Sequence, residues 1–389
     1  MMASMTTTME VEVLVVGAGI MGLATAVALG RRRRRVVVIE RNVRCGLEVS
    51  SRSSEVLHGG LYYEPGSWRA RTCVEGAELT MERCRRKGIA LNRRGKLVVA
   101  DGTEQEEALA RLLENARECG ARDLELWGTA RLRQEEPDLP ASAAIWSPWT
   151  AVVDSDSLVR SYAAEACDVG ADIGYRHRVI GLERRGNKWE VAVADRYNAV
   201  ITVSARVVVN AAGLASDEVA AMAGIDIDAA GYRLRYCKGD YFSLGGTSSK
   251  RLSRLIYPLP DPCLQSLGLH LTLDVGGRAR LGPDVTYLPD RQVTYDVDEA
   301  KLPSFLEAGR RLVPWLEAGD LSPESAGIRP RLFGPGEPAR DFVICHENDR
   351  GLPGLMNLIG IESPGLTAAP AIARHVVKTL IDDGVLSKY

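Results

Sequence analysis

The sequence predicts an α/β and α+β fold, a discontinuous Rossmann-like domain joined to an antiparallel-sheet domain. Three observations carry this prediction. Residues 11–40 read VEVLVVGAGIMGLATAVALGRRRRRVVVIE. This is an apolar β-rich run, then Gly17-x-Gly19-x-x-Gly22, an Ala-rich helix and a second apolar run closed by Glu40. Two further buried runs end in glycine much later, at 206–213 and 355–360. Between them, 232–295 is β-rich, with turn signals at Gly245-Gly246, Asp261-Pro262 and Gly276-Gly277.

Each part of the opening unit has a physical task. Gly17 permits a tight turn. Gly19 lets the backbone approach a pyrophosphate at a helix N-terminus, where free N–H groups point outward. Gly22 lets helix and strand pack closely. At the end of the second strand the Glu40 carboxylate accepts hydrogen bonds from ribose hydroxyls and repels a ribose phosphate, which selects FAD or NAD over NADP. By hydropathy, residues 13–30 also fit a membrane helix, being uncharged and followed by five arginines. Glycines at turn, contact and cap positions, and apolar character resuming at 36–39, favour the strand–helix–strand reading. Arg31–Arg35 then form a solvated turn, with contact to anionic lipid as the second reading. Arg33 or a neighbour takes the left-handed site where glycine is usual.

With 389 residues, 46% of them hydrophobic, 26% charged and a net charge of −2, the chain can form a normal core. It lacks the basic bias of a nucleic-acid binder. None of its eight cysteines form CxxC, and its five histidines include no HExxH, so no metal centre is expected. Scattered cysteines fit a reducing compartment. The opening MMASMTTTME has neither arginine nor an apolar core, and no presequence is visible in it.

Further along, helices are expected at 68–86 (ended by Gly88), at 103–119 (with Thr103 and Glu106 as a capping box) and at 158–169 (opened by Ser155 or Asp156). Strands follow at 179–183, 189–193, 199–203 and 206–210, then a helix at 298–312, a strand at 355–359 and a helix at 368–381. The division expected is 1–90, 150–220 and 327–389 for the dinucleotide-binding domain, and 91–149 and 221–326 for the substrate domain. Three separated pieces suit a long, buried FAD, whose flavin is fixed by distant parts of a chain, better than NAD. The turn at 360–366 leads into the last helix, whose positive N-terminus would face the flavin and stabilise its reduced anion.

The segments SSRSSEVLHGGLYY (50–63), CKGDY (237–241), LHLT (269–272), GPD (282–284), AGIRP (326–330) and GIESPGLT (360–367) carry a resemblance. The chain resembles FAD-dependent oxidoreductases of the D-amino-acid oxidase type, and within them the L-2-hydroxyglutarate dehydrogenases. The resemblance implies oxidation of L-2-hydroxyglutarate to 2-oxoglutarate by hydride transfer to flavin N5, with electrons passed to a quinone or another acceptor. An amino-acid or amine oxidase using oxygen, or a flavin-binding protein with little turnover, are the alternatives. Arg329, in Gly-x-Arg-Pro, would clamp the substrate carboxylate through two parallel hydrogen bonds. Lys238 would meet the second carboxylate. His58 and His270 compete for the role of base. Tyr62, Tyr63 and Tyr241 would line the pocket. Cofactor contacts are expected from Ser50, Ser51, Arg52, Ser53, Gly213, Gly360, Glu362, Ser363, Gly365, Leu366 and Thr367. Ser53 stands where this family usually has Asn, and Gly59 where Ala is common. For compartment, the resemblance implies mitochondria in a eukaryote and cytoplasm otherwise.

Overall fold

In the computed structural model, which describes residues 8–245, 248–260 and 267–388, two large sheets and one small sheet organise the chain. The expected Asp261-Pro262 turn, Gly246, Cys263 and most of the opening ten residues lie outside the described residues. The first sheet has eight strands. Its centre is parallel: Thr8–Val16 lies between Val36–Glu40 and Val200–Asn210, with Leu355–Ile359 beyond. All five residues of Val36–Glu40 and of Leu355–Ile359 are buried, as strands covered on both faces require. The stretch at 13–30 is thus strand and helix, and no helix among the described residues is long and apolar enough to cross a membrane.

Helices cover one face of this sheet, Ser155–Asp168 among them through Leu158, Val159 and Ala166. Ile20–Gly30 and Gly365–Asp382 share one apolar cluster with strand residues such as Val13, Val15 and Val209. Trp68–Lys87 crosses Gly365–Asp382 so closely that a Cβ on Gly76 would lie 2.3 Å from the Thr367 carbonyl oxygen. The second sheet has nine strands. In it Arg235–Leu244 pairs antiparallel with Leu321–Arg331, setting Cys237 opposite Arg329 and Gly239 opposite Gly327. The small sheet joins Val56–Leu57, Ala151–Val153 and Leu91–Asn92.

Several local expectations shift. The strands read at 199–203 and 206–210 are one strand, Val200–Asn210. Its first half pairs with Lys188–Ala194 and its end with Leu355–Ile359, so pairing continues through Arg206. Thr103 begins its helix instead of capping it, because Gly102 holds the N-cap position, and Glu106 bonds Ser142. The helix at Ser155–Asp168 is capped by Asp154, whose side chain accepts from the Ser157 N–H at 2.9 Å. The last helix begins at Gly365. Arg33 takes the left-handed conformation (φ 58°) in the turn after the first helix. In the same cluster Arg31 pairs with Glu165 and Arg34 with Glu12, while Arg32, Arg33 and Arg35 stay exposed. The seven described cysteines are all free thiols.

Candidate active site

One cavity of about 690 Å³ runs from the opening glycine turn to a buried polar pocket between the sheets. Its size lies within the range of small-molecule and cofactor sites. At the near end Gly17, Gly19, Ile20 and Met21 line it. Gly17 adopts φ 102°, and a Cβ there would sit 2.5 Å from the Ala211 carbonyl oxygen, so only glycine fits. The first turn of the helix at Ile20–Gly30 has no acidic residue, which leaves its positive end open to an anion. Two side chains brace this turn. Ser50 Oγ accepts from the Ile20 N–H at 2.9 Å, and Glu40 Oε2 accepts from the Ala18 N–H at 2.8 Å. Glu40 Oε1 takes two further donors from Asn42. Glu40 lines the cavity while shaping the loop after its strand, and a carboxylate there repels a ribose phosphate. Glycine cradle, open helix end and acidic strand terminus together fit the adenosine and pyrophosphate of FAD.

The far end is built from remote segments. His58 lies beside the bend before the last helix: its Nε2 is 3.1 Å from Ser363 Oγ and its backbone N–H donates to Thr367 Oγ1 at 3.1 Å. Glu362 is held between Arg69 (3.0 Å) and Arg331 (3.2 Å), so this carboxylate carries two cations. Arg329 reaches the wall from the second sheet. Its Nη1 donates to Cys237 Sγ at 3.2 Å and its Nη2 to the Asp284 carbonyl at 2.8 Å. His270 stacks on Tyr257, ring centroids 3.8 Å apart, and its Nδ1 lies 2.7 Å from the Gly268 carbonyl oxygen. A carbonyl only accepts, so Nδ1 carries the proton and Nε2 is the lone pair of the neutral ring.

Burial keeps both imidazoles neutral. It pulls His270 down to about 3, with Lys96 and Arg329 adding to it against the bond to Gly268. Burial first, then Lys96 and His270, holds His58 well below the usual histidine range.

Of the expected residues, His58, His270, Arg329, Tyr62, Tyr63, Tyr241, Arg52, Ser53, Gly213, Glu362, Ser363, Gly365, Leu366 and Thr367 all line this cavity, beside Gly17, Gly19, Glu40 and Ser50. Four others do not. Gly22 lies behind the turn, where a Cβ would come within 2.0 Å of the Gly17 carbonyl oxygen. Gly360 packs against Leu332, and Ser51 is not part of the wall. Lys238 faces the opposite side of its strand from Gly239 and Tyr241, since side chains alternate along a strand. There it bonds the Asp296 carbonyl and pairs with Asp240 at 3.2 Å.

Sequence reasoning missed Lys96, Tyr257, Arg69 and Arg331. Lys96 is completely buried, its Nζ 4.4 Å from the Tyr62 ring centroid and 4.6 Å from that of Tyr257. Burial pulls its ammonium down to about 7. A lysine whose folded pKa is depressed destabilises the fold below that pKa, where it is charged while buried. The penalty fades as pH rises from about 7 towards the unfolded value, because there the unfolded chain holds the extra proton. Lys96→Met should therefore be the more stable protein at pH 7, by roughly 3–5 kcal/mol. Its advantage should shrink by pH 10, measured as denaturation midpoints at both pH values. An advantage that does not change with pH would mean the ammonium is solvated.

A family model described as FAD dependent oxidoreductase (DAO) matches residues 12–379. The mitochondrial L-2-hydroxyglutarate dehydrogenase of Arabidopsis thaliana is 33% identical over 414 residues, covering 96% of this chain and 84% of that protein. The L-2-hydroxyglutarate dehydrogenase of Indibacter alkaliphilus is 30% identical over 406 residues, covering 95% and 98%. Among solved structures, the FAD-bound, dithionite-reduced L-alpha-glycerophosphate oxidase of Mycoplasma pneumoniae superposes with a TM-score of 0.84 at 22% identity, covering 95% of this chain and 94% of that one. Glycine oxidase of Geobacillus kaustophilus gives 0.76 at 20% identity, covering 96% and 95%.

Proposed function

The chain belongs to the DAO family of FAD-dependent oxidoreductases, and from that premise we propose that it oxidises L-2-hydroxyglutarate to 2-oxoglutarate. One observation carries the reading: the cavity that begins at the Gly17–Gly19 turn ends where Arg329 and two neutral imidazoles meet. The names of the Arabidopsis and Indibacter relatives supply the substrate.

FAD, bound along this cavity, supplies the acceptor for the hydride leaving C2. Everything else falls to the chain. Arg329 has its guanidinium oriented by Cys237 and Asp284 and keeps a free N–H on each terminal nitrogen, the pair a carboxylate accepts in parallel. The hydroxyl proton goes to a neutral imidazole. His270 presents Nε2 as a lone pair in the tautomer set by Gly268, and His58 is held by Ser363. Arg69 and Arg331 leave the region around Glu362 net positive, which favours anions in the cavity. The first sheet serves the dinucleotide and the second contributes the substrate side. Electrons leave to a quinone or another acceptor. Exposed Arg32, Arg33 and Arg35 are the side chains that would meet an anionic membrane surface. For a eukaryotic source the compartment proposed is the mitochondrion, named for the Arabidopsis and Caenorhabditis elegans relatives, and for a bacterial source the cytoplasm.

Anaerobic mixing of the yellow holoprotein with each enantiomer of 2-hydroxyglutarate tests this. The L form should bleach the flavin absorbance and yield 2-oxoglutarate, while the D form leaves it oxidised. Bleaching by an amino acid instead, with peroxide formed on admitting air, would transfer the protein to the oxidases.

A further inference from the structure

We propose that Tyr62 and Tyr257, backed by Lys96, bind the second carboxylate of a dicarboxylate substrate. The proposal rests on the oxidation reading above and assigns the subsite that Lys238, turned towards Asp240 and Asp296, cannot fill.

The first observation is a cluster of orphaned donors. Tyr62 Oη, Tyr257 Oη and Lys96 Nζ are buried and have no hydrogen-bond partner among the described residues. Tyr62 is 5% exposed and the other two are fully enclosed. Protein interiors satisfy almost all such groups, so the two hydroxyls that line the cavity call for a ligand that accepts hydrogen bonds. The second is their arrangement. The two tyrosine rings stack with centroids 6.5 Å apart and 19° between planes, and Nζ lies within 4.6 Å of both centroids. Both tyrosines line the cavity, whereas Lys96 does not reach its wall. Hydroxyls would thus meet the ligand while the ammonium acts through the rings and across a short distance.

The third observation is the charge balance. Lys96 opens the strand Lys96–Ala100 and shares a face with Val98 and Ala100, within an apolar cluster that includes Leu61 and Leu109. A cation there is costly without a counter-charge. No carboxylate among the described residues bonds the Lys96 ammonium; Glu362 is engaged by Arg69 and Arg331, and Glu55 by Arg280 at 3.0 Å. An incoming carboxylate is the missing anion, and it would hold Lys96 in its charged form. Arg329 would take the carboxylate next to C2, leaving the tyrosine pair for the far end of the molecule.

The test uses the flavin-loaded protein and its Tyr62→Phe, Tyr257→Phe and Lys96→Met variants. Anaerobic flavin reduction is compared for L-2-hydroxyglutarate and L-2-hydroxyvalerate, which has the same carbon chain but one carboxylate. Binding of glutarate is read from its perturbation of the oxidised flavin spectrum. Each variant should lower the dicarboxylate-to-monocarboxylate ratio of kcat/KM by about 10- to 100-fold and weaken glutarate binding by a similar factor. A ratio unchanged in all three variants overturns the subsite, even where absolute rates fall. Wild-type protein reduced by neither hydroxy acid would instead sink the oxidation reading. Glutarate binding then decides the subsite alone, and equal affinity in wild type and variants would remove it.

Discussion

Arg329→Ala is expected to lower kcat/KM for L-2-hydroxyglutarate by about 10²- to 10³-fold, the loss that follows from truncating one partner of a desolvated, charge-assisted pair. Flavin should remain bound. The reason lies in how the second sheet presents the guanidinium. The register sets Arg329 opposite Cys237, and two of its N–H groups are spent on Cys237 Sγ and the Asp284 carbonyl. Gly239 makes the room: a Cβ there would lie 2.3 Å from Arg329 Nη2. The side chain is thus pre-oriented, and a carboxylate meets a fixed donor pair without ordering a flexible chain. Arg329→Lys keeps the charge and loses the fork, so it should recover only part of the rate. The measurement is single-turnover flavin reduction against substrate concentration, with flavin content taken from the absorbance of the same sample. Near-normal turnover in Arg329→Ala would remove this residue from the substrate site.

The sequence made the opening unit legible because two periodicities and three glycines agree there. A continuous apolar run, a tight-turn glycine and a resumed apolar run specify strand, turn, helix and strand, and the strands come out at Thr8–Val16 and Val36–Glu40. The motifs singled out His58, Ser363 and Thr367, and the fold brings them together although 305 residues separate the first two. Lys238 falls outside the cavity for a physical reason. Neighbours on a strand point to opposite faces, and CKGDY alone does not say which face meets the cavity. The pairing with Leu321–Arg331 and the position of Gly239 against Arg329 decide it. Lys96 carried a usable signal, since Lys-Leu-Val-Val-Ala puts it in phase with Val98 and Ala100 on a buried face. The general exposure of lysine outweighed that alternation. Arg69 and Arg331 left no local trace, because the carboxylate they share lies 293 and 31 residues away. The join across Ser204-Ala205-Arg206 was equally hidden, since that strand is held together by two different neighbours.

Gly22→Ala should yield a colourless protein. The added Cβ would stand 2.0 Å from the Gly17 carbonyl oxygen and 3.2 Å from Val15 Cγ1. A backbone oxygen has no rotamer to escape into, and this one is fixed: the Gly17 N–H donates to Ile39 at 2.8 Å while its Cα fits against Ala211 at φ 102°. Relief requires the helix at Ile20–Gly30 to lift off its strand. That movement would stretch the bonds that Ser50 and Glu40 accept from the Ile20 and Ala18 N–H groups, which hold the helix end proposed to receive a pyrophosphate. Overpacking at such a contact costs about 1–3 kcal/mol in stability. The same displacement falls wholly on the nucleotide turn, so flavin affinity should drop by more than about 100-fold. Gly319→Ala is the matched control, because a Cβ there meets nothing within 4 Å and its φ lies outside the left-handed region. Flavin absorbance per protein and the thermal midpoint, with and without added FAD, distinguish the two. A yellow Gly22→Ala protein with the flavin content of Gly319→Ala would show that close packing at residue 22 does not govern cofactor binding, and the helix end would lose its assignment as the dinucleotide site.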